Sequence, residues 1–412
     1  MTVKNKNVSV ILGTRPEAIK MAPVIASLRR GQAKVNVIST GQHEGLMQPV
    51  LELFGIRPDI NLGVMQRCRQ VSDVFGALVS ELPTVLAASN PDIVLVHGDT
   101  ASAAAASTAC FLNRIKIGHV EAGLRSKDLH QPWPEEFNRR LIDLVSSIYF
   151  APTEKARDAL LAEGVPANLI AVTGNTVVDA LLATVSAITS DGALRGRLDR
   201  EFGKYLAGGR VVLVTSHRRE NIGAGLRNIC DALARLAADA STSIVWPLHL
   251  NPQVRDQVGA ALSQVPNIHL IEPVGYLEFI YLMMKCSVIL TDSGGVQEEA
   301  PSLGKPLVIL REVTERPEVV EHGLATIVGT DPDLIVAHAQ RGLDRSPQAP
   351  GRSFNPFGDG LAAERIVERL GRSLCGRFDD PRISEAWLVD FRQLAGRPSS
   401  ASLQDSPGQL AS

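Results

Sequence analysis

Residues 291–306 read TDSGGVQEEAPSLGKP and follow directly on the apolar run SVIL at 287–290. The run has the length and β-branched content of a strand, and the acids beyond it suit a helix, so Ser293, Gly294 and Gly295 occupy a strand-to-helix turn. A hydroxyl and two residues without Cβ let backbone N–H groups approach a ligand where a helix begins, and the helix dipole favours an anion there. Glu299, one turn on, can accept hydrogen bonds from ribose hydroxyls. Lys305, Arg311 and Arg316 follow within a strand and its loop, which points the turn toward a nucleotide diphosphate. The proline after Arg316 is expected to help end any helix there.

Working outward, the same unit recurs. The runs VSVIL, VNVIS, DIVLV, IKIGHV, SIYF, LIAV, RVVLV, SIVW, NIHLI and PLVIL alternate with amphipathic stretches such as APVIASLRR and DVFGALVSELPTVLAA. The runs lack polar alternation, so they predict strands buried on both faces of doubly wound parallel sheets, an α/β fold. Nearly every run ends in glycine or polar residues (GTRPE, TGQH, HGDT, VEAGLRS, SHRREN, PLHLNP), and the carboxyl ends of such strands are where ligands bind. The rhythm breaks after LIAVTGNTVVDALL with a polar helical stretch at about 184–209, which places a domain boundary near Thr173. The expected division is 1–173, then 174–357, with a helix at about 358–373 returning to the first domain and a C-terminal extension 376–412. That extension carries an apolar AWLVDF segment and is expected to be partly disordered.

At 412 residues the chain is long enough for two cores. A formal net charge of −2 gives no global pull toward nucleic acid or anionic membrane, so anion chemistry must come from local cations. Five scattered cysteines without CxxC spacing read as small core residues of a reduced, cytoplasmic protein. No run of eighteen apolar residues marks a membrane span.

In the first half Gly13-Thr14-Arg15-Pro16 repeats the glycine turn with a proline at a helix start, and offers Arg15 and Lys20 to the same cleft. Asp99 in HGDT, Glu121 in HVEAG and the pair Glu135-Glu136 in PWPEEFNRR place acids in three separate loops beside glycine or proline. Such acids in a cleft are candidates for proton transfer. His217 in SHRREN offers a group that titrates near neutrality. His97 and His119 are expected to face away from the acids and to be structural; His249 in PLHLNP is left open.

Taken together, GTRPEAIKMAP, TGQH, HGDT, HVEAGLRS, PWPEEFNRR, SHRREN, HLNP, TDSGGVQEEAPSLGKP and TERPE resemble the non-hydrolysing UDP-N-acetylglucosamine 2-epimerase family, from about Val8 to Arg372. The resemblance implies a GT-B type fold, two Rossmann-like domains with parallel sheets facing a central cleft. It also implies interconversion of UDP-GlcNAc and UDP-ManNAc without metal or other cofactor, for surface polysaccharide precursors. By motif, the catalytic set falls on Asp99, Glu121, Glu135 and His217. The substrate contacts fall on Arg15, Lys20, Arg139, Val274, Phe279, Ser293, Gly294, Gly295, Glu299 and Arg316. Gln42, Arg69, Arg218 and His249 match in part a second UDP-GlcNAc site that activates some members, and the family implies a homodimer. An epimerase of a related sugar, such as UDP-2,3-diacetamido glucuronate, and a GT-B glycosyltransferase are the alternatives.

Overall fold

The computed structural model describes residues 2–68, 70–206, 209–345 and 354–375, apart from the side chains of residues 44 and 219. The C-terminal extension 376–412 and Arg69 lie outside the described residues.

Thirteen strands form two sheets among the described residues. The first holds β1 (Asn7–Leu12), β2 (Lys34–Ser39), β3 (Ile60–Asn61), β4 (Ile93–His97), β5 (Ile117–Val120), β6 (Ile148–Ala151) and β7 (Ile170–Val172). The second holds β8 (Arg210–Thr215), β9 (Thr242–Pro247), β10 (Ile268–Ile271), β11 (Val288–Thr291), β12 (Leu307–Ile309) and β13 (Ala325–Ile327). Their spatial orders are β3-β2-β1-β4-β5-β6-β7 and β10-β9-β8-β11-β12-β13, and every pairing is parallel.

The run VSVIL shows why polar alternation is missing. Val8, Val10 and Leu12 join one hydrophobic cluster while Ile11 joins another on the opposite face of the sheet. Helices cover both faces, so the run is apolar apart from Ser9, itself buried, and each fully buried Val, Leu or Ile contributes about 1.5–3 kcal/mol. Two strands escaped the sequence reading. β3 has two residues and β13 three, both at sheet edges. Pieces that short leave no apolar run to recognise.

The helix Val71–Ser89 is long and apolar enough to cross a bilayer, yet its Val74, Leu78, Leu82 and Leu86 pack into the core of the first sheet beside Ile11 and Val94. Four of the five cysteines are buried; Cys375, expected in a core, is exposed because it ends the last described helix.

Thr173 directly follows β7, and the next helix, Thr176–Ser190, ties the two halves together. It packs on Arg15–Arg30 from the first half and on Tyr276–Lys285 and Gly294–Glu299 from the second. The chain then crosses back. Asn355 Nδ2 donates to the Glu298 carbonyl at 2.8 Å and to Ser302 Oγ at 2.7 Å, and the Phe357 carbonyl accepts from Asn175 N at 2.6 Å. The final helix, Ala362–Cys375, packs on Arg15–Arg30, and its first amides, Ala362 N and Ala363 N, donate to Asp179 at 3.2 and 2.8 Å. Burial pushes the Asp179 carboxyl up to about 6, against those two amide bonds.

Candidate active site

Strand order reverses between β1 and β4 in the first sheet and between β8 and β11 in the second, so each sheet opens a crevice at its carboxyl edge there. The loops at these four strand ends carry Gly13 to Arg15, Gly98 and Asp99, Ser216 and His217, and Asp292 and Ser293. Gly13 is required by contact, since a Cβ there would lie 2.4 Å from Ser102 Oγ. Glu17 joins the first two loops: its carboxylate accepts from Gly13 N at 2.9 Å, Thr14 N at 2.5 Å and Thr100 Oγ1 at 2.8 Å.

A buried set of charges spans the two halves. Lys20 Nζ lies 2.5 Å from Glu121 Oε2 and 3.0 Å from Glu298 Oε2, and Arg316 Nε lies 2.5 Å from Glu298 Oε1. Lys20 and Glu121 come from the first half, Glu298 and Arg316 from the second. Burial works against ionising Glu121, but Lys20, His97 and Arg316 outweigh it and hold its carboxyl well below the usual range. The same balance raises Lys20 and Arg316 against desolvation. Glu121 sits at φ +68°, a left-handed conformation rare for a residue with a side chain, and Asn175 Nδ2 donates to its Oε2 at 2.7 Å.

His97 does not face away from the acids. Its Nε2 is 3.6 Å from Glu121 Oε2, buried and without a hydrogen-bond partner among the described residues. The strand-end alternation fails because Gly98 and Glu121 both take positive φ where their strands stop.

Asp99 is held by the helix Glu135–Val145: Arg139 Nη2 is 2.5 Å from its Oδ2 and Asn138 Nδ2 donates to its carbonyl at 2.9 Å. The structure also separates the two neighbouring glutamates. Glu136 is fully buried and engaged with Ser126 N, Arg139 and Arg140. The Glu135 side chain is partly exposed and makes no ion pair among the described residues, so it is the member of the pair left available for chemistry.

On the second sheet Ser293 is the N-cap of the short helix Gly294–Glu299. Gly294 has nothing within 4 Å of where a Cβ would stand, and neither it nor Gly295 needs a positive φ. Neither packing nor backbone geometry asks for glycine at 294, so the space in front of the turn is open. Lys305 and Arg311 are not at this turn. Lys305 Nζ donates to the Cys286 carbonyl at 2.7 Å, at the opposite end of β11, and Arg311 Nε pairs with Glu220 at 2.6 Å. Only Arg316 of the three reaches the buried set. Its proline neighbour begins a helix, Pro317–Glu321, with Arg316 as N-cap, because proline is pre-set for the first helical position.

Glu299 accepts from Tyr276 OH at 2.9 Å, which ties its helix to Tyr276–Lys285, the element that carries Phe279 and follows Val274. Phe279 and Val274 are half-buried against the core shared by the two sheets. Arg15 is lowered by burial and opposed first by Glu299, so these two stand close in charge. Burial raises Glu299 itself from 4.5 to about 7. The folded protein therefore keeps a proton that the unfolded chain releases between those values, and the associated stability is complete below pH 4.5 and lost as pH rises through 7. Glu299→Gln removes that loss: in urea titrations its stability relative to wild type should rise by up to about 3 kcal/mol between pH 4.5 and pH 8. A difference that stays flat across this window would contradict the assignment.

His217 stands apart from the carboxylate set. Its Nδ1 is 3.5 Å from Asp292 Oδ1 and its ring stacks on His249 at 5.4 Å and 15°. Burial lowers His217, against the pull of Asp292. Asp292, fully buried, accepts through Oδ2 from Ser216 Oγ, His217 N, Arg218 N and Asn221 Nδ2 at 2.8–3.0 Å, fixing the whole SHRREN loop. Gln42 Oε1 accepts from Ser102 Oγ at 2.7 Å beside the loops after β1 and β4. Sequence reasoning passed over Asp292, Glu298, Tyr276, Asn175 and Glu17. Asp292 and Glu298 lie inside the stretch quoted first, but only a partner from elsewhere in the chain gives them a task.

Comparison with known proteins identifies the family and the fold. Residues 26–371 match the profile of the family described as UDP-N-acetylglucosamine 2-epimerase. The chain is 46% identical over 369 residues to the UDP-N-acetylglucosamine 2-epimerase of Salmonella typhimurium, covering 88% of this chain and 98% of that protein. Among solved structures, the Neisseria meningitidis UDP-GlcNAc 2-epimerase bound to UDP-GlcNAc aligns with TM-score 0.81 at 43% identity over 88% of this chain and 99% of that one. The Methanocaldococcus jannaschii enzyme in complex with UDP-GlcNAc and UDP aligns with TM-score 0.75 at 36% identity, covering 88% and 99%. The two crevice-bearing parallel sheets are thus of GT-B type, and the chain belongs to the UDP-N-acetylglucosamine 2-epimerase family.

Proposed function

We propose that the protein interconverts UDP-GlcNAc and UDP-ManNAc by eliminating UDP to leave a 2-acetamidoglucal, then adding UDP back at C1 with a proton delivered to the opposite face of C2. The observation that carries this reading is the Lys20 bridge, which sets the ionised Glu121 of one half against Glu298 and Arg316 of the other, next to the open Ser293 turn. C2 of the sugar has no adjacent carbonyl, so removing its proton alone gives no stabilised carbanion. Loss of UDP from C1 together with the C2 proton gives a neutral alkene, and on return UDP rejoins C1 while C2 takes a proton on its opposite face. The leaving diphosphate needs cations, which Arg15, Lys20 and Arg316 supply beside the amides of the Ser293 turn. The sugar needs acid and base groups on both faces, the task we assign to Asp99, Glu121 and Glu135. Arg139 steadies Asp99, and His217 faces charge developing on the leaving group. Val274 and Phe279 are assigned to the uracil and Glu299 to the ribose.

The test is incubation with UDP-GlcNAc in deuterated water, followed by NMR. UDP-ManNAc carrying deuterium at C2 is the expected product. Free ManNAc with UDP would indicate a hydrolysing enzyme, no turnover without an acceptor would indicate a transferase, and turnover only of UDP-2,3-diacetamido glucuronate would move the substrate.

We further assign a second UDP-GlcNAc to Gln42, Arg218 and His249, a reading supported by the Arg218 Nε, buried and unpartnered among the described residues. A homodimer is supported by Phe111, Leu112, Phe137 and Leu144, exposed on the two packed helices Ala101–Leu112 and Glu135–Val145. Sedimentation should give twice the chain mass. Free buried thiols support a cytoplasmic location.

A further inference from the structure

His119 lies in β5, fully buried, two residues before Glu121. Its Nδ1 is 2.6 Å from Asp143 Oδ1 and its Nε2 is 2.8 Å from the Gly98 carbonyl oxygen. A carbonyl oxygen can only accept, so Nε2 must carry a hydrogen. Asp143 is paired with Arg125 at 2.8 Å and accepts from Gly123 N at 3.3 Å. Burial opposes its ionisation, but His119 and Arg125 outweigh that and hold its carboxyl below the usual range. An ionised carboxylate also only accepts, so Nδ1 must carry a hydrogen too. A neutral ring would leave one of these two short contacts as lone pair against lone pair in a site closed to water.

We infer that His119 is a buried imidazolium that pins the Gly98 elbow to Asp143 and so acts as a positioning residue for Asp99. The inference rests on the reaction proposed above for what Asp99 does. Gly98, at φ +64°, is the bend from which Asp99 projects, and His119 grips the carbonyl of that bend. One helix completes the clamp, with Asn138 on the Asp99 carbonyl, Arg139 on its carboxylate and Asp143 on the His119 ring. The other charges at this site are accounted for. Arg125 divides its guanidinium between Asp143 and Glu163, and Tyr149 OH donates to the Asp143 carbonyl. Glu121, on the far side of the β5 end, is taken by Lys20.

The test is 15N NMR of the full chain labelled at histidine, at pH 7, with His119 assigned by elimination through single variants of the other eight of its nine histidines. Both ring nitrogens of His119 should be of the protonated type with a hydrogen on each. A ring with one bare nitrogen overturns the inference, and this readout stands whether or not the protein turns over UDP-GlcNAc. Asp143→Asn keeps the shape and removes the charge. It should convert the ring to a neutral form and lower kcat about 100-fold, the scale of a 1 Å misplacement, with KM for UDP-GlcNAc and Kd for UDP within about twofold of wild type. Unchanged kcat, or KM rising in step with the loss, would remove His119 from the positioning of Asp99. Should that variant not fold, the ring state in the wild type decides.

Discussion

Glu121→Gln should lower kcat by about a thousandfold, the usual weight of a positioned acid or base, with UDP affinity nearly unchanged. The amide keeps the size and the oxygen that accepts from Asn175 and Lys20, so the site should retain its shape. What disappears is a carboxylate held ionised by Lys20, His97 and Arg316 against the cost of burial, and an amide cannot take a proton from C2. Asp99→Asn should act on the same scale, because its carboxylate is also part-buried against a single cation, Arg139. Steady-state kinetics with UDP-GlcNAc and calorimetry with UDP separate the two quantities. Near-normal turnover in both variants would exclude these acids from proton transfer, and loss of UDP binding in step with turnover would make them ligands rather than catalysts.

The second large effect belongs to a residue with no assigned contact to substrate. Asp292→Ala should destabilise the fold by about 4 kcal/mol and abolish most activity. Four donors converge on one carboxylate oxygen, two of them the backbone amides of His217 and Arg218. Each buried donor left without an acceptor costs about 1–3 kcal/mol, and relaxation of the loop recovers part of the total. That relaxation also frees His217, whose position against His249 depends on the same loop. Asp292→Asn should fall between alanine and wild type, because its amide oxygen can take the place of Oδ2 before the four donors while the charge that strengthens those bonds is lost. Urea unfolding within about 1 kcal/mol of wild type for the alanine variant would show that water satisfies the loop and that Asp292 is dispensable.

Glu298 raises the same point about buried charge. It is almost fully buried with Lys20 on one oxygen and Arg316 on the other, so two of the three cations assigned to the diphosphate share this carboxylate. An ion pair in such a place adds little net stability, since desolvation offsets the attraction. Its effect here is geometric: a cation from the first half and one from the second share one carboxylate, which sets the two crevices at a defined separation.

The chain order of apolar runs determined the two doubly wound sheets, because strands buried on both faces leave a record in consecutive residues. Glycine and polar residues at the ends of those runs marked the loops after β1, β4, β8 and β11 for the same reason, since backbone bends and helix starts are local. Partnership is not local. Lys305 and Arg311 sit as near to Ser293 in the chain as Arg316 does, and folding turns one to the far end of β11 and the other to Glu220. His97 was placed on the wrong side because two residues at positive φ interrupt the alternation that a strand would impose. Which of Glu135 and Glu136 is spare, what Asp292 and Glu298 hold, and the doubly bonded His119 ring were settled by tertiary structure alone. Each depends on desolvation and on an opposite charge supplied from a distant part of the chain, and neither of those is written in the neighbouring residues.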